Sequence, residues 1–371
     1  MAGSEPVTAA PPTPAAAAGP AGRSGGGSGT AGRLGAGLLR WESVLVVLLI
    51  GSIALGAHLS PNFLNTTNLF FVGLNVGEIA IMALPLTLIV VTGEIDLSVA
   101  SMLGLSSTLL GALFRSGMPL WLCVVLVLLV GLAGGALNGV LVTGLGLPSI
   151  AVTIGTLTLF RGIAEILLGS DSVGGYPTGA TNLGVLPVPG TQLSWSVVLF
   201  FVLATVYAVV LHASPVGRSI FAIGLQEEAA RFSGIRVRRI KFWLYALSGL
   251  VCSFAGVLWT FRFATSRYDA GTGLELNVVA IVLLGGVSIF GGRGSILGVV
   301  LATAVMGSLQ EGLTLINVDP QVQNIVTGGL LLASVVVPNG PDLFRRARSA
   351  LRRNPSTAAV VETTPSERVP R

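Results

Sequence analysis

ASPVGRSIFAIGLQEEAARFSGIRVRRIK, residues 213–241, is a polar island between two long apolar runs. It holds six of the chain's 21 basic residues, Arg218, Arg231, Arg236, Arg238, Arg239 and Lys241, beside the acids Glu227 and Glu228. Outward from it in both directions the sequence reads as membrane. The chain is 52% hydrophobic and only 10% charged, against about 25% charged in a soluble domain. A helical crossing needs about 20 apolar residues, and the chain supplies such runs repeatedly. The expected fold class is therefore all-α, a polytopic membrane protein. A transmembrane barrel would show short alternating segments, and none occur.

About ten transmembrane helices are expected, near 42–59, 68–92, 97–114, 119–143, 148–169, 194–212, 239–262, 274–291, 295–316 and 320–338. Pro119, Pro148 and Pro320 open spans, where a missing N–H costs little. Pro85 falls inside the second and predicts a kink. This count puts 17 basic residues on the side of the island and both chain ends, and 3 (Arg115, Arg262 and Arg267) on the other. Arg161 lies within a span. Cytoplasmic loops carry the excess of Lys and Arg, so both termini are expected in the cytoplasm. Residues 1–40, rich in Ala, Gly, Pro and Ser, predict a disordered cytoplasmic tail. Residues 41–340 make the transmembrane domain, with residues 213–240 as its cytoplasmic loop, and 341–371 a basic disordered tail.

Several chemistries are excluded. Lys241 is the only lysine and Ile240 precedes it, so no GxxxxGK[ST] phosphate loop exists. Gly27, Gly29 and Gly32 spell GxGxxG, but no strand precedes them, and the dinucleotide reading fails. There is no HExxH or CxxC motif. Cys123 and Cys252 lie in separate apolar spans, and His58 and His212 sit alone at span ends. No catalytic residue, metal site or cofactor is expected. The pI of 9.9 reflects basic residues beside membrane spans, which fits topology rather than nucleic-acid binding.

Two groups of residues carry candidate function. In the island, Gln226, Glu227, Glu228, Ala229, Ala230, Arg231 and Phe232 make about two helical turns. Ser233 follows, and Gly234 is placed to end them. The positive-inside rule accounts for the arginines but not for the EEAARFSG core, so a docking helix for a soluble partner is expected. In the spans, acids at membrane depth are costly and usually face a cavity. Asn75, Glu78, Glu94, Asp96, Ser98, Glu275, Asn277, Gly285 and Gly286 are the expected translocation path. Asp96 or Ser98 is also placed to cap the third span. Five glycines over 285–294 predict a helix break near the membrane edge. The spans carry no cationic cluster, which argues against an anionic solute.

Four segments together resemble a known family. GEIDLSVASMLGLSS (93–107), LPSIAVTIGTLTLFRGIA (147–164), QEEAARFSGIRV (226–237) and ELNVVAIVLLGGVSIFGGRGSILG (275–298) are similar to motifs of permease subunits of bacterial ABC importers, ribose/xylose/arabinose type. The resemblance implies a bacterial inner-membrane protein that moves a neutral monosaccharide. It also implies a second permease chain, identical or related, cytoplasmic ABC ATPase subunits docking on 226–234, and an extracytoplasmic solute-binding protein. Glu94 stands where the group commonly has a small residue, and Ile289 and Phe290 add bulk. Both point to a different sugar, such as the deoxy sugar rhamnose. The rival expectations are a same-family permease for branched-chain amino acids or nucleosides, an ion-coupled carrier and, most remotely, a membrane enzyme.

Overall fold

The structure, a computed structural model, describes residues 29–334 and Val336. The chain falls into two units, residues 1–39 and 40–371. Of the first, residues 29–39 are described and are helical. The expected tail at 341–371 and most of that at 1–40 lie outside the described residues. Residues 29–40, expected in the N-terminal tail, are helical instead. No proline occurs between Pro20 and Pro61, so nothing interrupts a helix extending back from the apolar run.

Thirteen helices follow in order: α1 Gly29–Leu59, α2 Thr66–Val91, α3 Val99–Arg115, α4 Leu120–Thr143, α5 Ser149–Leu168, α6 Thr178–Val185, α7 Trp195–Ala208, α8 Pro215–Leu225, α9 Glu227–Phe232, α10 Val237–Phe263, α11 Leu274–Leu284, α12 Ile296–Leu315 and α13, residues 320–334. A π turn, Val209–Ala213, joins α7 to α8. The all-α expectation holds among the described residues. Among the described residues, seven helices are long and apolar enough to cross a membrane: α1 from Trp41, α2, α4, α5, α7 with its π turn, α10 and α12. The other three expected spans appear as α3, with 17 residues, α11, with 11, and α13.

Two of these short helices are preceded by non-helical backbone. At 1.5 Å per residue α3 is about 25 Å long and α11 about 16 Å. Residues 92–98 lead into α3, and residues 264–273 into α11. The second run descends along α3: Ser266 Oγ donates to the Ser107 carbonyl at 2.6 Å, while Gly271 packs on Leu103. Non-helical backbone at membrane depth is tolerated only where it is buried in protein or lines a cavity. Asp96 and Ser98 of the first run and Ser266, Ala270 and Gly271 of the second are buried against the bundle, while Ala264, Arg267, Thr272 and Gly273 stay exposed.

The core is built on α2, buried from Val76 to Val91, with α10 crossing it. Asn65 starts α2 by accepting from Thr67 N at 3.1 Å, and the helix runs unbroken through Pro85. α4 meets α10 backbone to backbone: a Cβ on Gly135 would strike the Tyr245 carbonyl, and one on Gly249 the Gly131 carbonyl. Small residues give close approach in lipid, where apolar burial itself supplies little drive. The outward faces of α1, α4, α5 and α7 remain apolar and exposed, as at Val47, Leu129, Ile166 and Val202. In a bilayer those faces meet hydrocarbon.

Candidate functional site

The polar island folds into two helices. Ser214 caps α8 by accepting from Gly217 N at 3.1 Å, with Pro215 at the first position. Gln226 is extended (φ −162°, ψ 103°) and separates α8 from α9. Gly234, at φ +84°, ends α9 as its position predicts, in a conformation most side chains avoid. Arg231 and Glu227 pair one turn apart at 3.1 Å. Ala230 is buried against Ile223 and Val237, which pins one face of α9 to the body. Phe232 at the end of α9 is 90% exposed, and Leu225 at the end of α8 is 71% exposed. A six-residue helix that holds an aromatic ring out in water has the form of a docking surface.

The anchor of α9 is Lys241. Its Nζ lies 2.6 Å from Glu227 Oε2 and 2.6 Å from Glu94 Oε1. The lysine side chain is only 6% exposed, Glu94 19% and Glu227 40%. One ammonium thus ties the exposed helix to the non-helical run that precedes α3. Glu227 is held below the ordinary glutamate range. Burial works upward, but the hydrogen bond and charge of Lys241 and the charge of Arg231 outweigh it. The sequence singled out Glu94 and Glu227 for separate roles. That one lysine joins them was not visible from spacing, because 147 residues separate Lys241 from Glu94.

Asp96 and Ser98, in the run before α3, lie deeper in the bundle, where Asp96 meets α10. Ser248 Oγ donates to Asp96 Oδ2 at 3.3 Å, seven residues, or about 10 Å, beyond Lys241. Asp96 Oδ1 accepts from Ser98 N at 2.9 Å and Ser98 Oγ at 2.6 Å, and Asn138 Nδ2 donates to Ser98 Oγ at 2.8 Å. This corrects the capping expectation. Ser98 occupies the cap position of α3 but makes no side-chain cap bond, and Asp96 accepts from Ser98 and Ser248 rather than from an N–H within α3. The hydroxyls and carboxylate hold one another and fasten α3, α4 and α10 around the break.

Asn75 and Glu78 sit at the opposite end of α2, away from α9. Arg262 reaches Glu78 Oε2 at 3.0 Å, the Leu74 carbonyl at 2.6 Å and Asn75 Oδ1 at 2.5 Å. Ser196 donates to Glu78 Oε1 and Asn75 Nδ2 to Glu311 Oε2, each at 2.9 Å. These bonds join α2, α7, α10 and α12. A polar cavity of about 640 Å³ opens there, lined by Asn75, Glu311, Thr314 and Gln323 among others. The expected path residues are therefore split between the two ends of the bundle and its middle.

Glu275 and Asn277 are half-buried on α11. The glycine break lies where the sequence places it: α11 ends at Leu284, and Gly286 turns at φ +81°. A Cβ on Gly286 would run into the Trp41 ring, and the Trp41 indole N–H donates to the Leu284 carbonyl at 3.0 Å. Gly285 is packed on the backbone of Val299. Gly292 N donates to the Val91 carbonyl at 2.8 Å, closing the segment onto the end of α2 on the side of α9.

Sequence reasoning missed Arg161. From α5 its guanidinium donates to the Ala270 carbonyl at 2.5 Å, to Tyr268 O at 3.4 Å and to Ala100 O at 3.4 Å. It satisfies carbonyls that the non-helical run 264–273 would otherwise leave bare. A lone arginine inside an apolar span was the available signal. Among the described residues no group of three or more His, Cys, Asp or Glu side chains is placed to hold a metal.

Residues 68–335 match the family described as branched-chain amino acid transport system, permease component. The chain is 36% identical over 304 residues to the autoinducer 2 import system permease protein LsrD of Klebsiella pneumoniae, covering 80% of this chain and 91% of that protein. It is 34% identical to the protein of the same name in an Enterobacter species, covering 80% and 92%. Against that of Escherichia coli K12 it is 36% identical, covering 80% and 91%. No solved structure matches the chain.

Proposed function

Because the chain belongs to the family of branched-chain amino acid transport system permease components, we propose that it is driven through α9 by a cytoplasmic ATPase and passes a small neutral polyhydroxylated solute. It is a multi-pass protein of the bacterial inner membrane, a permease of an importer and not an enzyme. An importer of this class works with ATPase subunits, a second permease and a solute-binding protein. Here the ATPase grips residues 226–234, the second permease is a copy or close relative, and the binding protein delivers to the side of Arg262. The arginine distribution supports cytoplasmic termini.

The observation that carries this reading is the arrangement of α9: Phe232 stands free while Glu227 is held through Lys241 to Glu94. Force or displacement applied to α9 then reaches the non-helical run that begins α3. A ligand can shift a two-state packing only by its differential affinity for the two states, and this contact is where such a difference would enter.

The neutral-solute reading rests on charge. Within the bundle Arg161, Arg262 and Lys241 are each engaged by protein oxygens, so no cation is left for a solute carboxylate. That favours a monosaccharide, or a compound such as the autoinducer 2 for which the relatives are named, over a branched-chain amino acid. The test has two parts. Phe232→Asp should abolish co-purification of the ATPase encoded beside the chain while the permease stays in the membrane. Calorimetry of the neighbouring solute-binding protein with monosaccharides, autoinducer 2 and leucine identifies the cargo. Accumulation of solute by vesicles holding this chain alone would overturn the ATP-driven reading.

A further inference from the structure

At the foot of α10, on the side that carries α9, lies a groove of about 860 Å³. Pro85 and Leu88 of α2 line it, with Tyr207 of α7 and Leu247 of α10. At its mouth stand Arg236 and Arg239, both exposed. Neither guanidinium has a hydrogen bond or ion pair among the described residues. Trp243, 49% exposed, also borders it, in keeping with the aromatic belt of membrane interfaces.

The dimensions fit one leaflet. From Arg239 to Val251, the deepest lining residue on α10, is twelve residues or about 18 Å, against about 15 Å for half of a hydrocarbon core of about 30 Å. Water would leave the apolar walls wet. A zwitterionic lipid would fill the walls but bring its own cation to two unpaired arginines. We infer that the groove binds an anionic phospholipid, with an acyl chain between α7 and α10 and its phosphate on Arg236 and Arg239. Basic pockets between membrane helices favour such headgroups. Ser233, Gly234 and Ile235, which follow α9, also line the groove, so an occupied groove braces the docking helix from behind. This inference stands independently of what the permease carries.

The test is native mass spectrometry of the full-length chain released from phosphatidylcholine vesicles containing phosphatidylglycerol as the minor lipid. The expected result is selective retention of phosphatidylglycerol. Arg236→Gln with Arg239→Gln should reduce that preference by about thirtyfold, the worth of two cations near the membrane surface. Leu247→Trp, which fills the groove and leaves both arginines, should also evict the lipid, so the question stays open to refutation if the double variant fails to fold. Equal retention of both lipids by the unaltered chain would overturn the inference. So would an unchanged preference in the folded variants, or a disulfide between two copies carrying Trp243→Cys, which would show that a second copy covers the groove.

Discussion

Lys241 and Glu94 meet at 2.6 Å, with the lysine almost wholly buried. Removing the cation leaves Glu94 without its partner. Breaking a fully buried pair costs about 3–5 kcal/mol. Here the loss should be smaller, because Glu94 keeps some exposure and Glu227 opens to water. Lys241→Met should therefore insert and bind its ATPase, yet lose solute stimulation of ATP hydrolysis by at least about fivefold, the lower end of typical coupling between sites. Lys241→Arg should recover part of it. Full stimulation in Lys241→Met would remove the clamp from the transport mechanism.

The same lysine sets a pH dependence. A carboxyl held below its ordinary value adds stability that is complete above that value, 4.5 for glutamate, and is lost as pH falls through the depressed value. Protection of the amides of residues 227–232, after correction for the intrinsic pH dependence of exchange, should accordingly be steady from neutral pH to about 5 and fall only on further acidification. Glu227→Gln should show the lower protection at all these pH values. Identical profiles for the two proteins would mean that Glu227 does not hold α9.

Arg161→Met should strand the carbonyls of residues 268 and 270 in the bundle. Each unsatisfied buried polar group costs about 1–3 kcal/mol, so the thermal midpoint in detergent should fall by several degrees and transport should be lost. Arg161→Lys should rescue poorly, since a guanidinium spans several carbonyls where an ammonium is a point charge. Equal midpoints for Met and the unaltered chain would show that Arg161 does not support the non-helical run.

Gly286→Leu faces both a positive φ and the Trp41 ring. Overpacking typically costs about 1–3 kcal/mol, with the strained backbone adding about 1–3 more. The variant should express poorly, and size-exclusion profiles should show aggregation. Gly286→Leu combined with Trp41→Ala should recover only the part due to the clash.

The all-α membrane fold was legible because apolar runs of span length have no other use, and α9 was legible because EEAARFSG ends in a glycine that stops a helix. The build of three of the spans was not: periodicity reports where apolar residues lie, and the non-helical runs at 92–98 and 264–273 carry no pattern that separates them from the helices they precede. The path residues were read as one set because acids at depth share one cost. Their partners, Arg262 for Glu78 and Lys241 for Glu94, come from distant parts of the chain and separate them into two ends. Arg161 was noted as lying in a span but given no task, since its carbonyl acceptors come from a backbone whose course no residue type announces.

The two non-helical runs differ from the rods around them in how they yield. A helix under axial load must break its own rungs before it lengthens, whereas a non-helical stretch held by side chains from α5 and α10 changes length by rotating a few dihedral angles. One run begins beside the clamp and the other ends beside α3's first turns. The bundle thus has expansion joints set between stiff struts, where movement needs no helix to unwind.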